Sequence, residues 1–231
     1  MSNILVLNSS ISGEASISRL LVADAVAELT SRDPDAKIVF RDLAADPIPH
    51  LLPSTVAGVR AQPTTPPEHE ARALSDKLIA ELRAADVIVI GAPMYNFSVP
   101  TTLRSWFDHV LRAGETFSYS EAGPKGLLTG KKVIVVESRG GLYSEGPAVA
   151  ADFQEPYLRY LLGFVGLTDV TFIRAEKIGY GPEARDQAVA DSRAELVRPP
   201  AWPVRRPASR RRGTACIGPD GRSPSVTLPV A

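Results

Sequence analysis

The sequence predicts an α/β fold built on a doubly wound, parallel sheet. Short apolar segments with strand character alternate with longer segments whose apolar residues recur at helical spacing, which is the pattern of repeated βαβ units. The apolar run at 86–92 is also continuous rather than alternating. Such a run is typical of a strand that is buried on both faces of a parallel sheet.

Five strands are predicted, each from an apolar run bounded by turn-forming residues. In chain order they cover residues 3–7, 37–42, 86–92, 131–136 and 168–175. A further short strand is predicted at 116–119, ahead of a turn at Gly123 and Pro124.

Five helices are predicted from apolar residues at helical spacing. In chain order they cover residues 18–31, 68–84, 100–112, 152–164 and 183–196. The first is ended by Asp33 and Pro34, the third has Pro100 in its first turn, and the fourth ends at Gly166. The Pro- and Thr-rich stretch 46–67 predicts a loop that is long enough to cover a site.

Five strands with five helices favour a flavodoxin-like sheet over a (β/α)8 barrel, which needs eight repeats. The expected strand order is 2-1-3-4-5, with helices on both faces, in one domain over residues 1–197. Residues 198–231 hold seven arginines, seven prolines and one acidic residue, and predict a disordered tail. The alternative, an arm that binds nucleic acid or an acidic surface, fits less well because the tail lacks lysine and amphipathic spacing. The composition of residues 198–231 resembles an out-of-frame translation, so we hypothesise that this C-terminal segment arose by a frameshift.

The composition indicates a soluble, cytoplasmic protein. The longest apolar runs are too short to cross a bilayer, and the N-terminus lacks the features of a signal peptide. The single cysteine, Cys216, excludes an internal disulfide, and His50, His69 and His109 lack metal-ligand spacing. We therefore expect no metal, no membrane and no nucleic acid among its partners.

Serine residues follow the first predicted strand. Ser9 and Ser10 end the strand, and Ser16, Ile17 and Ser18 lead into the first helix. A hydroxyl-rich loop at a helix N-terminus can bind an anion, because free amides point outward and the helix dipole favours negative charge. The alternative is a plain helix cap. The loop matches neither the dinucleotide-binding glycine pattern nor the P-loop.

An aromatic segment follows the third predicted strand, where Pro93 precedes Met94, Tyr95, Asn96 and Phe97. Amides left unpaired at the strand end can contact the edge of an isoalloxazine ring, while the side chains flank its face. The alternative is a capped loop whose aromatic residues anchor the core.

A glycine pair follows the fourth predicted strand, in Ser138, Arg139, Gly140 and Gly141. Glycine lets a backbone approach a flat ligand closely, and amides there can bond the pyrimidine end of a flavin; the alternative is a plain turn. Because the carboxyl ends of parallel strands meet at one edge, the three segments together predict one site for a planar, phosphorylated cofactor. That site indicates a redox enzyme whose cofactor performs the chemistry.

The sequence resembles the bacterial FMN-dependent NADH:quinone oxidoreductases, also called FMN-dependent NADH-azoreductases, from Asn3 to about Leu196. The motifs that carry the resemblance are Arg41-Asp42-Leu43-Ala44, Ala92-Pro93-Met94-Tyr95-Asn96-Phe97, Phe107-Asp108, Arg112-Ala113-Gly114-Glu115-Thr116-Phe117, Leu128-Thr129-Gly130-Lys131-Lys132, Ser138-Arg139-Gly140-Gly141, Leu162-Gly163-Phe164-Val165-Gly166 and Tyr180-Gly181-Pro182-Glu183.

The resemblance implies an FMN cofactor with its phosphate and ribityl chain at the first segment, its ring along the second and its pyrimidine end at the third. The implied cofactor residues are Ser10, Ser16, Ile17, Ser18, Met94, Tyr95, Asn96, Phe97, Ser138, Arg139, Gly140 and Gly141. It also implies a homodimer with two sites at the interface, and Tyr119 and Phe164 on the substrate side. The implied reaction is ping-pong: NADH or NADPH gives a hydride to flavin N5 and leaves, and a quinone or azo compound then takes two electrons.

Two alternatives stay open at this point. A flavodoxin-like electron carrier would be shorter and more acidic, and would lack Tyr119 and Phe164 as pocket walls. An inactive FMN-binding protein would result if the altered C-terminus prevented dimerisation, because the last helix of the family continues past Leu196.

Overall fold

A computed structural model describes residues 1–121 and 123–197 of the chain. Its strands are β1 Asn3–Asn8, β2 Lys37–Asp42, β3 Val87–Pro93, β4 Phe117–Ser120, β5 Gly123–Gly126, β6 Lys132–Ser138 and β7 Asp169–Ala175. Five of these strands form a parallel sheet in the order β2-β1-β3-β6-β7, and β4 pairs antiparallel with β5. Within the large sheet this is the order 2-1-3-4-5, so the predicted flavodoxin-like fold is confirmed. The predicted tail at 198–231 lies outside the described residues.

The helices cover both faces of the sheet. Their bounds are α1 Ile17–Arg32, α2 Val56–Arg60, α3 Pro66–Ala84, α4 Thr101–Val110, α5 Glu155–Phe164 and α6 Pro182–Leu196. One buried cluster joins the sheet to α1 and α6, and the other joins it to α3, α4 and α5. Within the described ranges, no helix is both long and apolar enough to cross a membrane.

Alternate side chains of the central strands enter the two cores. Leu5 and Leu7 of β1 pack on the side of α3, α4 and α5, whereas Ile4 and Val6 pack on the side of α1 and α6. Every residue of β3 is buried. The continuous apolar run at 86–92 therefore reflects burial on both faces.

The predicted loop at 46–67 is partly wrong, because it contains α2, and because α3 begins at Pro66 rather than at Glu68. α2 has only five residues and depends on close packing against α3. A Cβ atom on Gly58 would lie 2.2 Å from the Glu68 carbonyl oxygen. Isolated helices of this length are unstable, so local sequence patterns do not reveal them.

Two predicted boundaries also shift. α5 begins at Glu155 rather than at residue 152, because the Asp152 carboxylate accepts hydrogen bonds from the amides of Gln154 (2.9 Å) and Glu155 (3.1 Å). Gly123 and Pro124 form the beginning of β5 rather than a turn. Their antiparallel pairing with β4 makes the 116–126 region a hairpin.

The hairpin packs against the C-terminal end of α5 through two glycines. A Cβ atom on Gly126 would lie 2.1 Å from the Gly166 amide nitrogen. Gly166 itself has a φ of +96°, a conformation that other residues rarely adopt. This contact fixes the hairpin, which carries Tyr119, to the helix that carries Phe164.

Near its end, strand β6 contains a buried glutamate that is hydrogen-bonded to a buried arginine. The side chains of Glu137 and Arg139 are both completely buried, and Arg139 Nη2 donates to Glu137 Oε2 at 2.7 Å. The other carboxylate oxygen, Oε1, has no hydrogen-bond partner within the described ranges. Burial raises the pKa of Glu137 to about 8, against the opposing effect of Arg139. Glu137 is therefore mostly protonated at neutral pH.

We expect Gly126→Ala to lower the free energy of unfolding by about 2 kcal/mol, because the added Cβ meets backbone atoms that have no room to move. Gly163→Ala is the matched control. A Cβ at Gly163, inside α5, would have no neighbour within 4 Å, and alanine is favoured over glycine in helices. Urea denaturation of both variants tests the contact, and a G126A protein as stable as wild type would contradict it.

The raised pKa of Glu137 predicts a pH-dependent stability. Its folded-state pKa of about 8 lies above its ordinary value of 4.5, so the folded chain keeps a proton that the unfolded chain releases. The bound proton contributes to the free energy of unfolding at low pH, and this contribution is lost as the pH rises from 4.5 to about 8. We expect Glu137→Gln to remove a slope of up to about 1.4 kcal/mol per pH unit. Urea denaturation at several pH values tests this; identical pH profiles for variant and wild type would contradict it.

Candidate functional site

The three predicted segments begin at the same edge of the sheet. β1, β3 and β6 are neighbours. The last residue of β1, Asn8, lies opposite Gly91, and the last residues of β3 and β6, Pro93 and Ser138, lie opposite each other. The Met94 amide donates to the Ser138 carbonyl oxygen at 2.8 Å, which extends this pairing beyond the strand. The sheet thus brings together the starts of the segments at 9–18, 93–97 and 138–141.

The hydroxyl group of Tyr95 joins the first segment to the second. It lies 3.2 Å from the hydroxyl oxygen of Ser10 and 3.4 Å from that of Ser12, and it accepts a hydrogen bond from the Ile11 amide at 3.2 Å. Ser10 is buried. Tyr95 therefore fixes the shape of the loop between β1 and α1.

The N-terminus of α1 has the features of an anion site. The Ser16 hydroxyl caps it by accepting from the Arg19 amide at 3.2 Å, and it also lies 3.2 Å from the Ser18 hydroxyl. Within the described ranges, the amides of Ile17 and Ser18 have no hydrogen-bond partner. The Ile17 side chain is part of the core, so Ile17 offers only its backbone. Arg19 is paired with Asp42 at 2.8 Å, so the positive potential here comes from the helix itself.

The second segment forms a tight turn with an unusual backbone. Tyr95 and Ser98 exchange two backbone hydrogen bonds, at 2.9 Å and 3.1 Å. Between them Asn96 and Phe97 both have positive φ angles, of 48° and 70°. Asparagine tolerates this conformation, but a bulky residue such as phenylalanine adopts it only under strain. The amides of Asn96 and Phe97 have no partner in the described part of the chain, whereas that of Met94 is already paired.

The third segment also presents free amides. The carbonyl oxygens of Gly140 and Gly141 accept from the amides of Gly179 and Lys177, both at 2.9 Å. The amides of the two glycines have no partner among residues 1–121 and 123–197. A Cβ on Gly140 would have no neighbour within 4 Å, whereas one on Gly141 would lie 3.1 Å from the Tyr143 ring. Open space for a flat ligand therefore lies at Gly140 rather than at Gly141.

The structure gives Arg139 a different place from its neighbours. Its side chain is buried against Glu137. Its amide donates to the Ala175 carbonyl oxygen at 2.9 Å, and its carbonyl oxygen accepts from Ile178 at 3.2 Å. Arg139 therefore has no free group to offer a ligand, although Gly140 and Gly141 in the same segment have free amides.

Tyr119 and Phe164 lie together in an aromatic group. The ring of Phe117 is 4.6 Å from that of Phe164 and 5.5 Å from that of Tyr119, measured between centroids. Tyr119 is 73% exposed. No hydrogen bond or ring contact in the described ranges joins this group to the three segments.

Sequence reasoning missed two residues at the site. The ring of Tyr143 meets that of Phe97 edge to face, with centroids 6.1 Å apart. Gln154 bonds both Arg139 and the Ala92 carbonyl oxygen. A tyrosine just after a glycine pair was an available signal for Tyr143. Gln154 lies in the first turn of the helix predicted at 152–164, where a polar residue is ordinary, and it gave no signal.

The arrangement fits a planar heterocycle joined to a phosphate. Free amides lie at two adjacent strand ends, and free amides with serine hydroxyls lie at a helix N-terminus one strand away. Within the described ranges, no group of three or more His, Cys, Asp or Glu residues could hold a metal ion.

Comparison with known proteins identifies the family to which this sequence is similar. The model of a family with a flavodoxin-like fold matches residues 2–198. An FMN-dependent NADH:quinone oxidoreductase of Hyphomonas neptunium is 65% identical over 198 residues, which cover 86% of this chain and 95% of that protein. A protein of the same name from Ralstonia nicotianae is 52% identical over 199 residues, with coverages of 84% and 94%.

Solved structures agree with this result. An azoreductase from Bacillus anthracis has a TM-score of 0.78 and 28% identity, covering 85% of this chain and 97% of that one. An FMN-dependent NADH-azoreductase from the same species, in complex with FMN, has a TM-score of 0.76 at 22% identity, covers 85% of this chain and 98% of that one, and shares the fold. The chain therefore belongs to the FMN-dependent NADH:quinone oxidoreductases, an enzyme family with a flavodoxin-like fold.

Proposed function

We propose that this protein transfers two electrons from NADH or NADPH to quinones and azo compounds, with FMN as its cofactor. The observation that carries the proposal is the set of amides after β1, β3 and β6 that have no partner in the described part of the chain. The names of the two relatives, which contain FMN, NADH and quinone, and that of the azoreductase structure support the same assignment.

The segment after β1 binds the phosphate and ribityl chain in this proposal. The amides of Ile17 and Ser18 donate to the phosphate, and the helix dipole of α1 stabilises its charge. The hydroxyls of Ser10, Ser16 and Ser18 add further donors. The Ser16 hydroxyl has a second role as the helix cap.

The segments after β3 and β6 hold the ring. The amides of Asn96 and Phe97 donate to its edge, and those of Gly140 and Gly141 donate to its pyrimidine end, where they stabilise the negative charge of the reduced form. The other residues of these segments shape the site: Met94, Tyr95, Ser138 and Arg139. When bound, FMN supplies the hydride acceptor that no side chain provides.

We also propose a homodimer in which Tyr119 and Phe164 of each protomer complete the substrate side of the other protomer's site. Tyr119 is largely exposed, and among the residues that the structure describes no hydrogen bond or ring contact joins its aromatic group to the three segments. Exposed aromatic residues of this kind are typical of interface centres.

Steady-state kinetics of the FMN-loaded protein test the reaction. Because NADH and the acceptor must reach the same ring, we expect them to bind in turn. Double-reciprocal plots at several fixed NADH concentrations, with 2-methyl-1,4-naphthoquinone as acceptor, should give parallel lines, and an azo dye should replace the quinone. Intersecting lines would contradict the ping-pong order, and a folded, FMN-loaded protein that oxidises no NADH would contradict the proposed function.

Mixed dimers test whether the site is shared. Gly140→Val fills the open space after β6, and Tyr119→Ala removes a proposed wall, so each variant alone should lose activity by at least about 10-fold. A heterodimer of the two, co-expressed with different tags and purified on both, has one intact site if Tyr119 acts across the interface. We expect activity to return toward half of wild type. A heterodimer as inactive as its parents would show that Tyr119 acts within its own chain.

A further inference from the structure

A buried group of charged side chains lies behind the proposed ring site, and we name it the Arg139 cluster. The Arg139 guanidinium is surrounded by four carboxylates: Nη2 lies 2.7 Å from Glu137 and 3.6 Å from Glu155, and Nη1 lies 3.1 Å from Asp152 and 3.2 Å from Glu176. These acids come from the end of β6, from the three residues before α5 and its first residue, and from the residue after β7. One side chain thus joins three separate parts of the chain.

The remaining donor of Arg139 reaches a second segment of the site. Its Nε donates to Gln154 Oε1 at 3.1 Å, and Gln154 Nε2 donates to the Ala92 carbonyl oxygen at 2.8 Å. Ala92 lies directly before the segment at 93–97, and Gln154 is completely buried. Two hydrogen bonds therefore connect the segment after β6 to the base of the segment after β3.

The stretch around Gln154 also contacts the tip of the turn in the second segment. The Phe153 amide donates to the Phe97 carbonyl oxygen at 3.1 Å, and the Ser98 hydroxyl donates to the Phe153 carbonyl oxygen at 3.4 Å. The stretch at 153–154 therefore holds both the strained turn at 95–98 and the strand end that precedes it.

Glu176 extends the cluster beyond the glycine pair. Its Oε1 accepts from the amides of Tyr143 at 2.8 Å and Ser144 at 3.0 Å, as well as from Arg139 Nη1. The backbone on both sides of Gly140 and Gly141 is therefore attached to the same guanidinium, directly or through one carboxylate.

The charges of the cluster are close to balanced. Arg174 donates to both carboxylate oxygens of Glu155, and Arg159 donates to one of them, so three guanidinium groups face four carboxylates. Because Glu137 is mostly protonated, the remaining charges cancel. Buried ions are tolerated when they are paired in this way, and removal of one partner is costly.

We infer that Arg139 is a positioning residue of the flavin site, whose guanidinium sets the separation between the segments at 93–97 and 138–141. The inference rests on the proposed function. A rigid ring that accepts hydrogen bonds from both segments requires them at one fixed spacing, and a displacement of about 1 Å can reduce a rate about 100-fold. Lysine cannot replace arginine here, because one ammonium group cannot make the same directed set of bonds.

Arg139→Lys tests the inference, with two readouts on the purified chain: the FMN dissociation constant from flavin fluorescence quenching, and the midpoint potential of the bound flavin. We expect the dissociation constant to rise between about 10-fold and about 100-fold and the potential to shift, because the Gly140 and Gly141 amides move relative to the ring. Arg41→Lys is the matched control. Arg41 makes a two-point bond to Glu81 between β2 and α3, so this variant should lose stability but keep both wild-type values.

Gln154→Met provides a second variant that leaves every charge of the cluster in place. It removes the link to Ala92, so the FMN dissociation constant should again rise. Both variants break the same connection, from Arg139 through Gln154 to Ala92. The double variant should therefore bind FMN no more weakly than whichever single variant binds it less tightly. If the two residues acted independently, the two increases in the dissociation constant would multiply. If Arg139→Lys does not fold, Gln154→Met is compared with Arg41→Lys in the same two measurements.

Wild-type FMN affinity and potential in Arg139→Lys or Gln154→Met, with only a lower melting temperature, would overturn the inference and leave the proposed function intact. A wild-type chain that binds no FMN would contradict the proposed function itself, and the inference with it.

Discussion

The parallel pairing of β1, β3 and β6, buried on both faces, is the constraint on which the rest of the structure depends. It places the ends of three strands in register, so the segments that follow must begin at one edge. The two cores hold this sheet from both sides, through α1 and α6 on one face and α3, α4 and α5 on the other. The site is consequently a product of topology rather than of any single loop.

Backbone groups provide most of the chemistry that this edge offers. The amides of Asn96, Phe97, Gly140 and Gly141 have no partner among the residues that the structure describes. They follow Met94 and Arg139, whose amides make the last hydrogen bonds to the neighbouring strands. The strain at Phe97 persists because bonds from Ser98 and Phe153 hold the turn. A conformation of this kind, retained at cost beside a site, is typical of functional loops. A protein that presents amides in this way can bind a cofactor that performs the redox step itself.

The sequence predicts the sheet well because a strand buried on both faces needs a continuous apolar run, and the run of β3 is visible in the sequence. The segments of the site follow from the sheet, since they come directly after strand ends. Tertiary contacts explain what was missed. α2 is too short to be stable alone and packs closely on α3. The role of Gln154 depends on a fold that brings Ala92 and Arg139 to either side of it.

Arg139 shows that a sequence motif does not reveal where each of its side chains points. Beside two glycines it is expected to face the ligand, yet Glu137 and Arg139 are two residues apart at a strand end and so project to the same side, into the carboxylates. Only the family resemblance implied that Tyr119 and Phe164 lie on the substrate side. Both residues are far from the three segments in sequence, and no pattern around them indicates a role in the site.

Titration of FMN and of riboflavin into the folded protein, followed by flavin fluorescence, tests the central claim most directly. The account predicts saturable binding of one FMN per chain and binding of riboflavin weaker by at least about 10-fold, because the N-terminus of α1 holds the phosphate. A folded chain that binds neither flavin, or binds both equally, would contradict it.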